Sequence, residues 1–241
     1  MLLQSIIVTI SAGLIIVVAR DGPPTPPSSN ATSNDKNFSV RKEFKDLIKN
    51  KNYIYLCIAY SFVHANNTAM ASMISSLTRD YGYSGGDNGL FGGVYIISGI
   101  VGSVIAGMLL DRFQRFKLTL ILTILVAILA NILIFMTLPT GNVFLFSLNI
   151  ALNGIGIVPV SPISYAFAVE LTFPTPEHVS NGLIILPSKI YTGMLGLFAG
   201  YLSEYYDPKY AIVAFLSNAI ISLIGCLYIK EELRRLQSNI N

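Results

Sequence analysis

Seven apolar runs, each roughly as long as a bilayer is thick, constrain this chain more than any other feature. They cover Leu2–Val18, Tyr53–Leu77, Leu90–Leu110, Leu118–Leu138, Val143–Val169, Val179–Tyr201 and Tyr210–Ile229. A helix rises about 1.5 Å per residue, so roughly 20 apolar residues cross a hydrocarbon core of about 30 Å. Backbone N–H and C=O groups find no partners in lipid, and a helix satisfies its own. The expectation is an all-α membrane protein with about seven spans. Composition agrees: 53% of the 241 residues are hydrophobic and 12% charged, too few charges to clothe a water-soluble domain.

Lys and Arg are distributed unevenly between the connections. If the segment between the first two spans is cytoplasmic, Arg20, Lys36, Arg41, Lys42, Lys45, Lys49 and Lys51 lie inside. Arg112, Arg115 and Lys117 after the third span join them, as do Lys230, Arg234 and Arg235 in the tail. The opposite side keeps Arg79 and Lys209. This positive-inside bias sets the C-terminus in the cytoplasm and, with seven spans, the N-terminus outside. Leu2–Val18 lacks a basic leader and a small-x-small cleavage site, so it reads as a span rather than a signal peptide. Cys57 and Cys226 both fall within spans and imply neither a disulfide framework nor a metal site.

Four segments follow: a first span over 1–19, a linker over 20–51, a six-span unit over 52–230 and a tail over 231–241. Pro23-Pro24-Thr25-Pro26-Pro27 favours extended backbone, and a Ser/Asn-rich stretch follows it. Ser39 is placed to cap a short helix through Lys49, with Val40, Phe44, Leu47 and Ile48 on one face and Arg41, Lys42, Lys45 and Lys49 on another. Such a helix suits the inner membrane surface or a solvated linker; the sequence leaves both open. Glycan at the sequons Asn30-Ala31-Thr32 or Asn37-Phe38-Ser39 would reverse the orientation; Asn66-Asn67-Thr68 lies within a span. One span, a long linker and six spans form the latter part of a twelve-helix transporter with two six-helix halves. The reading expects five further spans, in a longer chain or a partner.

Lys189 is the one basic residue in the Val179–Tyr201 run, about ten residues from either end and so near the midplane. Burying a charge there costs about 3 kcal/mol or more, and transporters hold substrate at that depth. His64, Asn66, Asn67 and Thr68 sit at mid-depth in the second span, and His64, Asn67 and Ala71 share a helical face by their i, i+3, i+7 spacing. His64 has two open readings, cavity lining with proton coupling or a helix–helix contact. Asn149 and Asn153 form an i, i+4 pair, Pro159 and Pro162 predict a kink in the fifth span, and Pro187 loosens the sixth beside Lys189. Ser98/Gly102 and Ser103/Gly107 are small-xxx-small pairs that let helices approach closely.

Two motifs carry a family resemblance. Gly107-Met108-Leu109-Leu110-Asp111-Arg112-Phe113-Gln114-Arg115-Phe116-Lys117 resembles the G-x-x-x-D-R-x-G-R-R loop of the major facilitator superfamily, with Gln114 in place of the second glycine. Phe167-Ala168-Val169-Glu170-Leu171-Thr172-Phe173-Pro174, continuing through Glu177, Ser180 and Gly182-Leu183, is similar to the signature of the feline leukaemia virus subgroup C receptor-related transporters, a branch of that superfamily. The resemblance runs from about residue 1 to 235 and implies a six-helix C-terminal half of a major-facilitator fold plus one preceding helix. It implies multi-pass placement, in the plasma membrane as the family expectation, and transport of choline, ethanolamine, haem or a vitamin. It assigns Asp111, Arg112, Glu170 and Glu177 to a cytoplasmic gate. A purely structural role for the two glutamates in the turn, and a topological one for the basic residues, stay open beside it.

Choline-transporting members of the branch surround the ammonium with aromatics and place a glutamine on the penultimate helix. Alignment through Gly182-Leu183 sets Lys189 at that glutamine, and alignment through Asn67-Thr68 sets Ala71 and Ser72 where tyrosines are expected. A lysine facing the cavity repels a cation by about 4 kcal/mol at about 4 Å with an effective dielectric near 20, so an anionic or carboxylate-bearing solute suits it better. The candidate cavity residues are therefore Lys189, His64, Asn67, Ala71 and Ser72; Lys189 paired with an acid of the other half is the structural alternative. The expected partners are a small-molecule solute, the lipid bilayer and an N-terminal half; the second functional class is a non-transporting half acting as a receptor or partner subunit. Two histidines, no metal-ligand cluster and no nucleophile motif point away from an enzyme or a cofactor. Basic residues that flank spans rather than share one face point away from nucleic acid.

Overall fold

The computed structural model describes residues 2–18, 40–233 and 235. The Pro-rich stretch, the sequons at Asn30 and Asn37, Ser39 and the last residues of the tail lie outside them. Described by itself, α1 (Leu2–Val18) is an apolar helix whose Thr9 and Ser11 hydroxyls donate to the carbonyls of Ser5 and Ile7 one turn back.

The other unit holds α2 (Val40–Lys49), α3 (Lys51–Thr78), α4 (Gly85–Phe113), α5 (Phe116–Thr137), α6 (Val143–Ile157), α7 (Val160–Thr172), α8 (Glu177–Tyr205) and α9 (Lys209–Tyr228). Among the described residues, five stretches are long and apolar enough to cross a membrane: 85–113, 116–140, 143–172, 177–205 and 209–228. The other two expected spans also form helices. α1 is 17 residues long, and α3, at 28 residues, is lengthy enough but diluted by polar side chains. α3 can be the more polar because it is central. It packs on α8, α9 and α7, while α6 lies between α4 and α5.

Hydrogen bonds sort the connections onto two ends. At one end the Tyr81 hydroxyl donates to Asp207 and that of Tyr83 to the Leu138 carbonyl. At the other, Asn50 donates to the Leu171 carbonyl, Lys117 Nζ to the carbonyls of Leu227 and Ile229, and Arg235 to Glu177. Successive spans therefore alternate in direction. Lys117 caps the negative end of α9 as well as contributing to the basic side.

Local signals set the boundaries. α4 starts before its apolar run because Ser84 and Asp87 form a reciprocal capping box ahead of a glycine-rich first turn. Its C-cap is Gln114 at φ 51°, the left-handed conformation that glycine adopts at no cost. The fifth span breaks at Val158–Pro159 into α6 and α7, the bend expected from its prolines, whereas α8 runs unbroken through Pro187. The α7–α8 turn contains a cis Phe173–Pro174 bond.

α4 and α6 approach until their backbones touch. A Cβ at Gly102 would lie 2.8 Å from Ile155 Cα, and one at Gly154 2.5 Å from the Tyr95 carbonyl oxygen. The Ser98/Gly102 pair thus meets a facing glycine, while Gly107 approaches nothing closely and lines a cavity instead.

Two apolar clusters fill the unit. One, toward the basic end, includes Tyr60, Val63, Ile124, Ile163, Phe167 and Ile184. The other, toward the opposite end, includes Ala65, Met70, Phe91, Ile134, Leu195 and Phe215. Between them on α3 is His64, on α5 Asn131, on α8 Ser188 and Lys189, and on α9 Ser222. The bundle carries a polar layer at mid-depth.

Candidate functional site

The polar layer has a closed part and an open part. In the closed part, Asn66 Nδ2 donates to the Phe215 carbonyl at 2.6 Å, Asn218 Nδ2 donates to Asn66 Oδ1 at 3.1 Å, and the Tyr191 hydroxyl donates to Asn218 Oδ1 at 2.7 Å. These bonds tie α3, α9 and α8 together and give amides a partner where lipid offers none. Asn149 joins the same kind of tie, donating to Thr137 Oγ1 at 2.9 Å, whereas the buried amide of its expected companion Asn153 has no hydrogen-bond partner.

The open part is built around His64, 9% exposed, and Lys189, exposed on α8. Lys189 Nζ lies 3.0 Å from His64 Nε2. His64 Nδ1 lies 3.1 Å from Tyr60 Oη and 3.3 Å from Ser161 Oγ, and Tyr60 Oη is 2.6 Å from Tyr165 Oη. An ammonium has three donors and no acceptor, so opposite a charged Lys189 Nε2 is assigned as the acceptor and Nδ1 as the protonated nitrogen. The ring then donates to Tyr60 or Ser161, and the Tyr60 hydroxyl is free to donate to Tyr165. With both groups protonated, two donors would face each other at 3.0 Å. The arrangement accommodates one positive charge on the pair.

Tyr60 also stacks on His64 with ring centroids 5.0 Å apart. Among the described residues no carboxylate forms an ion pair with Lys189. The ammonium of Lys189 thus rests on a neutral imidazole beside two tyrosines and a serine from α3 and α7, with an exposed flank on α8.

Two residues named from sequence, Lys189 and His64, meet in this way. Asn67 is half-buried and turns to α4, accepting from the Tyr95 hydroxyl at 2.6 Å. Ala71 and Ser72 are exposed on α3 and lie about two turns beyond His64, about 10 Å along the axis, with the Ser72 hydroxyl donating to the Thr68 carbonyl at 2.8 Å. Tyr60, Ser161 and Tyr165 went unnamed. The signal available for them was spacing: Tyr60 precedes His64 by four residues, and Ser161 and Tyr165 are themselves i, i+4.

Of the four residues expected at a gate, Asp111 and Glu170 line one cavity, of about 380 Å³ between α4 and α7, with Ser103, Gln114, Pro162 and Ala166. Glu170 is buried and Asp111 exposed. Arg112 lies apart, its guanidinium 5.6 Å from the Phe113 ring centroid. Glu177, in the first turn of α8, pairs with Arg235 at 2.8 Å. Both partners are well exposed, so the pair contributes little to stability.

Fold and sequence together define a class. Residues 1–184 match the Major Facilitator Superfamily, and the chain belongs to that superfamily and is a multi-pass membrane protein. Relatives of the branch indicated by the turn motif match it along nearly its whole length. The choline/ethanolamine transporter FLVCR1 of Felis catus is 25% identical over 98% of the chain and 43% of its own length. The choline/ethanolamine transporter FLVCR2 of Homo sapiens is 25% identical over 94% of the chain and 44% of its own length. An uncharacterized MFS-type transporter of Caenorhabditis elegans is 27% identical over 92% of the chain and 39% of its own length. The chain therefore spans less than half the length of these curated relatives.

Proposed function

We propose that the chain forms the second half of a transporter that moves a small organic solute across the membrane, the plasma membrane by family expectation, by alternating access. The six spans after the linker rock against a first half around a midplane site. Lys189 and His64 bind the solute there, Tyr60, Ser161 and Tyr165 hold them in place, and Asn67, Ala71 and Ser72 line the passage further along α3. Asp111 and Glu170 belong to the gate at the basic, cytoplasmic end, with Arg112 and Glu177 bracing the turns beside them.

The observation that carries this reading is the Lys189 ammonium, held 3.0 Å from His64 on an exposed flank at mid-depth, with no ion pair to a carboxylate among the described residues. A charge in that setting is stabilised by a hydrated cavity and an opposite charge brought by the solute. The solute of best fit is a small anion, such as a carboxylate. A second reading, a choline-like cation, is favoured by the similarity to the choline/ethanolamine transporters FLVCR1 and FLVCR2. It requires Lys189 to be neutralised by an acid of the other half.

Uptake by the complete transporter, reconstituted in liposomes and offered carboxylates, choline, ethanolamine and haem, separates the two. The anion reading expects carboxylate uptake in the wild type and its loss in Lys189→Gln. Choline uptake that survives Lys189→Gln unchanged overturns it, and uptake of no solute by a folded, complete transporter overturns transport itself.

A further inference from the structure

The helix ahead of the six-span unit has four distinct flanks, and the structure shows what two of them meet. Leu47 is 2% exposed and belongs to the apolar cluster at the basic end. Glu43, four residues earlier on the same flank, accepts a hydrogen bond from the Thr175 hydroxyl at 2.8 Å. Asn50 fixes the helix from its far end, donating to the Leu171 carbonyl at 3.0 Å and capping α3. These contacts fix the rotation of α2 against the bundle.

With that rotation fixed, the rest of the helix follows at about 100° per residue. Phe44 and Ile48 form a neighbouring apolar flank, 42% and 50% exposed. Arg41, Lys45 and Lys49, spaced four apart and all exposed, form a basic stripe directly beyond it. The remaining flank carries Asp46, which with Lys49 and Glu232 lines a charged groove of about 620 Å³. Both acids on α2 line this groove, Glu43 held there by Thr175, and both lie away from the apolar flank. What remains beside Phe44 and Ile48 is positive.

We infer that α2 is a membrane-surface helix that binds the headgroups of anionic lipids in the cytoplasmic leaflet. The occupant is set by the pairing of flanks. An apolar flank alone would suit a protein groove, and a basic stripe alone would suit any anion. An apolar flank bordered along its length by Lys and Arg, at the end of the bundle that gathers positive charge, suits acyl chains beneath phosphate. The bundle orients the helix, so binding requires no ordering of a free segment. The inference does not depend on which solute is carried.

Labelling the full chain in lipid nanodiscs tests it. Cys57 and Cys226 are buried, so an environment-sensitive probe attaches at Phe44→Cys or Asp46→Cys. The expected result is quenching at position 44 by a quencher carried on acyl chains and at position 46 by aqueous iodide. Raising the phosphatidylserine content of phosphatidylcholine discs increases acyl-chain quenching at position 44. Charge reversal at Arg41, Lys45 and Lys49 removes that gain by up to about fivefold per charge, less at high salt. Iodide quenching at both positions makes α2 a solvated helix and overturns the inference. So does protection from both quenchers at position 44, which means that protein covers it. Equal behaviour in neutral and anionic discs overturns the headgroup part.

Discussion

The seam between α4 and α6 is made by backbones, and the seam joining α3 to α7 and α8 is made by side-chain heads. In the first, glycines bring main chains so close that a Cβ at Gly154 would sit 2.4 Å from Ser98 Oγ. Its contacts are glycine against backbone and side chain, and close packing holds it. In the second, Lys189, His64, Tyr60, Tyr165 and Ser161 form a hydrogen-bonded chain with one end exposed. In the proposed transporter, tight seams would give a rigid half that rocks as one body, and the loose, polar seam would give that body something to bind. The bundle therefore separates stability from recognition, and single substitutions should separate them too.

The largest effect is expected at the open seam. Removing the ammonium in Lys189→Gln takes away an attraction with a ceiling of about 4 kcal/mol for an anion at about 4 Å, so anion uptake should fall on the order of a hundredfold. Thermal unfolding of the same variant in detergent should shift little, within about 0.5 kcal/mol, as for an exposed side chain. Equal losses of stability and uptake would show that Lys189 is a structural prop, and the comparison would break.

Gly154→Leu should do the reverse. The new side chain meets the Tyr95 carbonyl and cannot be accommodated by a flexible neighbour. A destabilisation of about 3 kcal/mol or more is expected, seen as a lowered unfolding midpoint in detergent and poor recovery of folded protein. A variant as stable as the wild type would mean that the α4–α6 contact opens without penalty.

The closed part of the polar layer lies between these extremes. Asn66→Ala, Asn218→Ala and the double variant form a cycle around the 3.1 Å amide contact. Interhelical hydrogen bonds in membranes average about 0.6 kcal/mol with a maximum near 1.7, so a coupling of roughly 1 kcal/mol is expected from unfolding measurements. Strict additivity would remove the amides from the list of groups that hold α3 to α9.

Much of this was legible in the sequence, for identifiable reasons. Apolar length gave the helices, and the prolines at 159 and 162 gave the break between α6 and α7. The start of α4 was missed because a capping signal at Ser84 recruits glycines that look like loop. At the site, Lys189 and His64 stood out because charge and imidazole are rare at mid-span. Tyr60 and Tyr165 did not, since tyrosine is unremarkable in an apolar run and only helix rotation turns its hydroxyl to a partner. Ala71 and Ser72 were placed by alignment to a family pattern, and their distance along α3 from His64 is a matter of axial rise that such alignment ignores. Glu177 finding Arg235 was equally unreadable, because the tail's return path is set by tertiary packing.

The smallest effect sharpens the comparison at the rim of the tight seam, where α4 ends. Gln114 occupies a left-handed C-cap that the superfamily loop gives to glycine, at φ 51°. A side chain there costs roughly 1 kcal/mol relative to glycine, partly offset because glycine has more freedom to lose on folding. Gln114→Gly should therefore stabilise the unit by somewhat less than about 1 kcal/mol. Gly82, at φ 77° after α3, is the natural control, and Gly82→Ala should destabilise by a similar amount. Opposite signs in the two unfolding midpoints would tie both effects to backbone conformation. If both variants moved the same way, Gln114 would owe its place to contacts of its amide with the Asp111 cavity, and the rim would belong to the binding side of the molecule rather than to its packing.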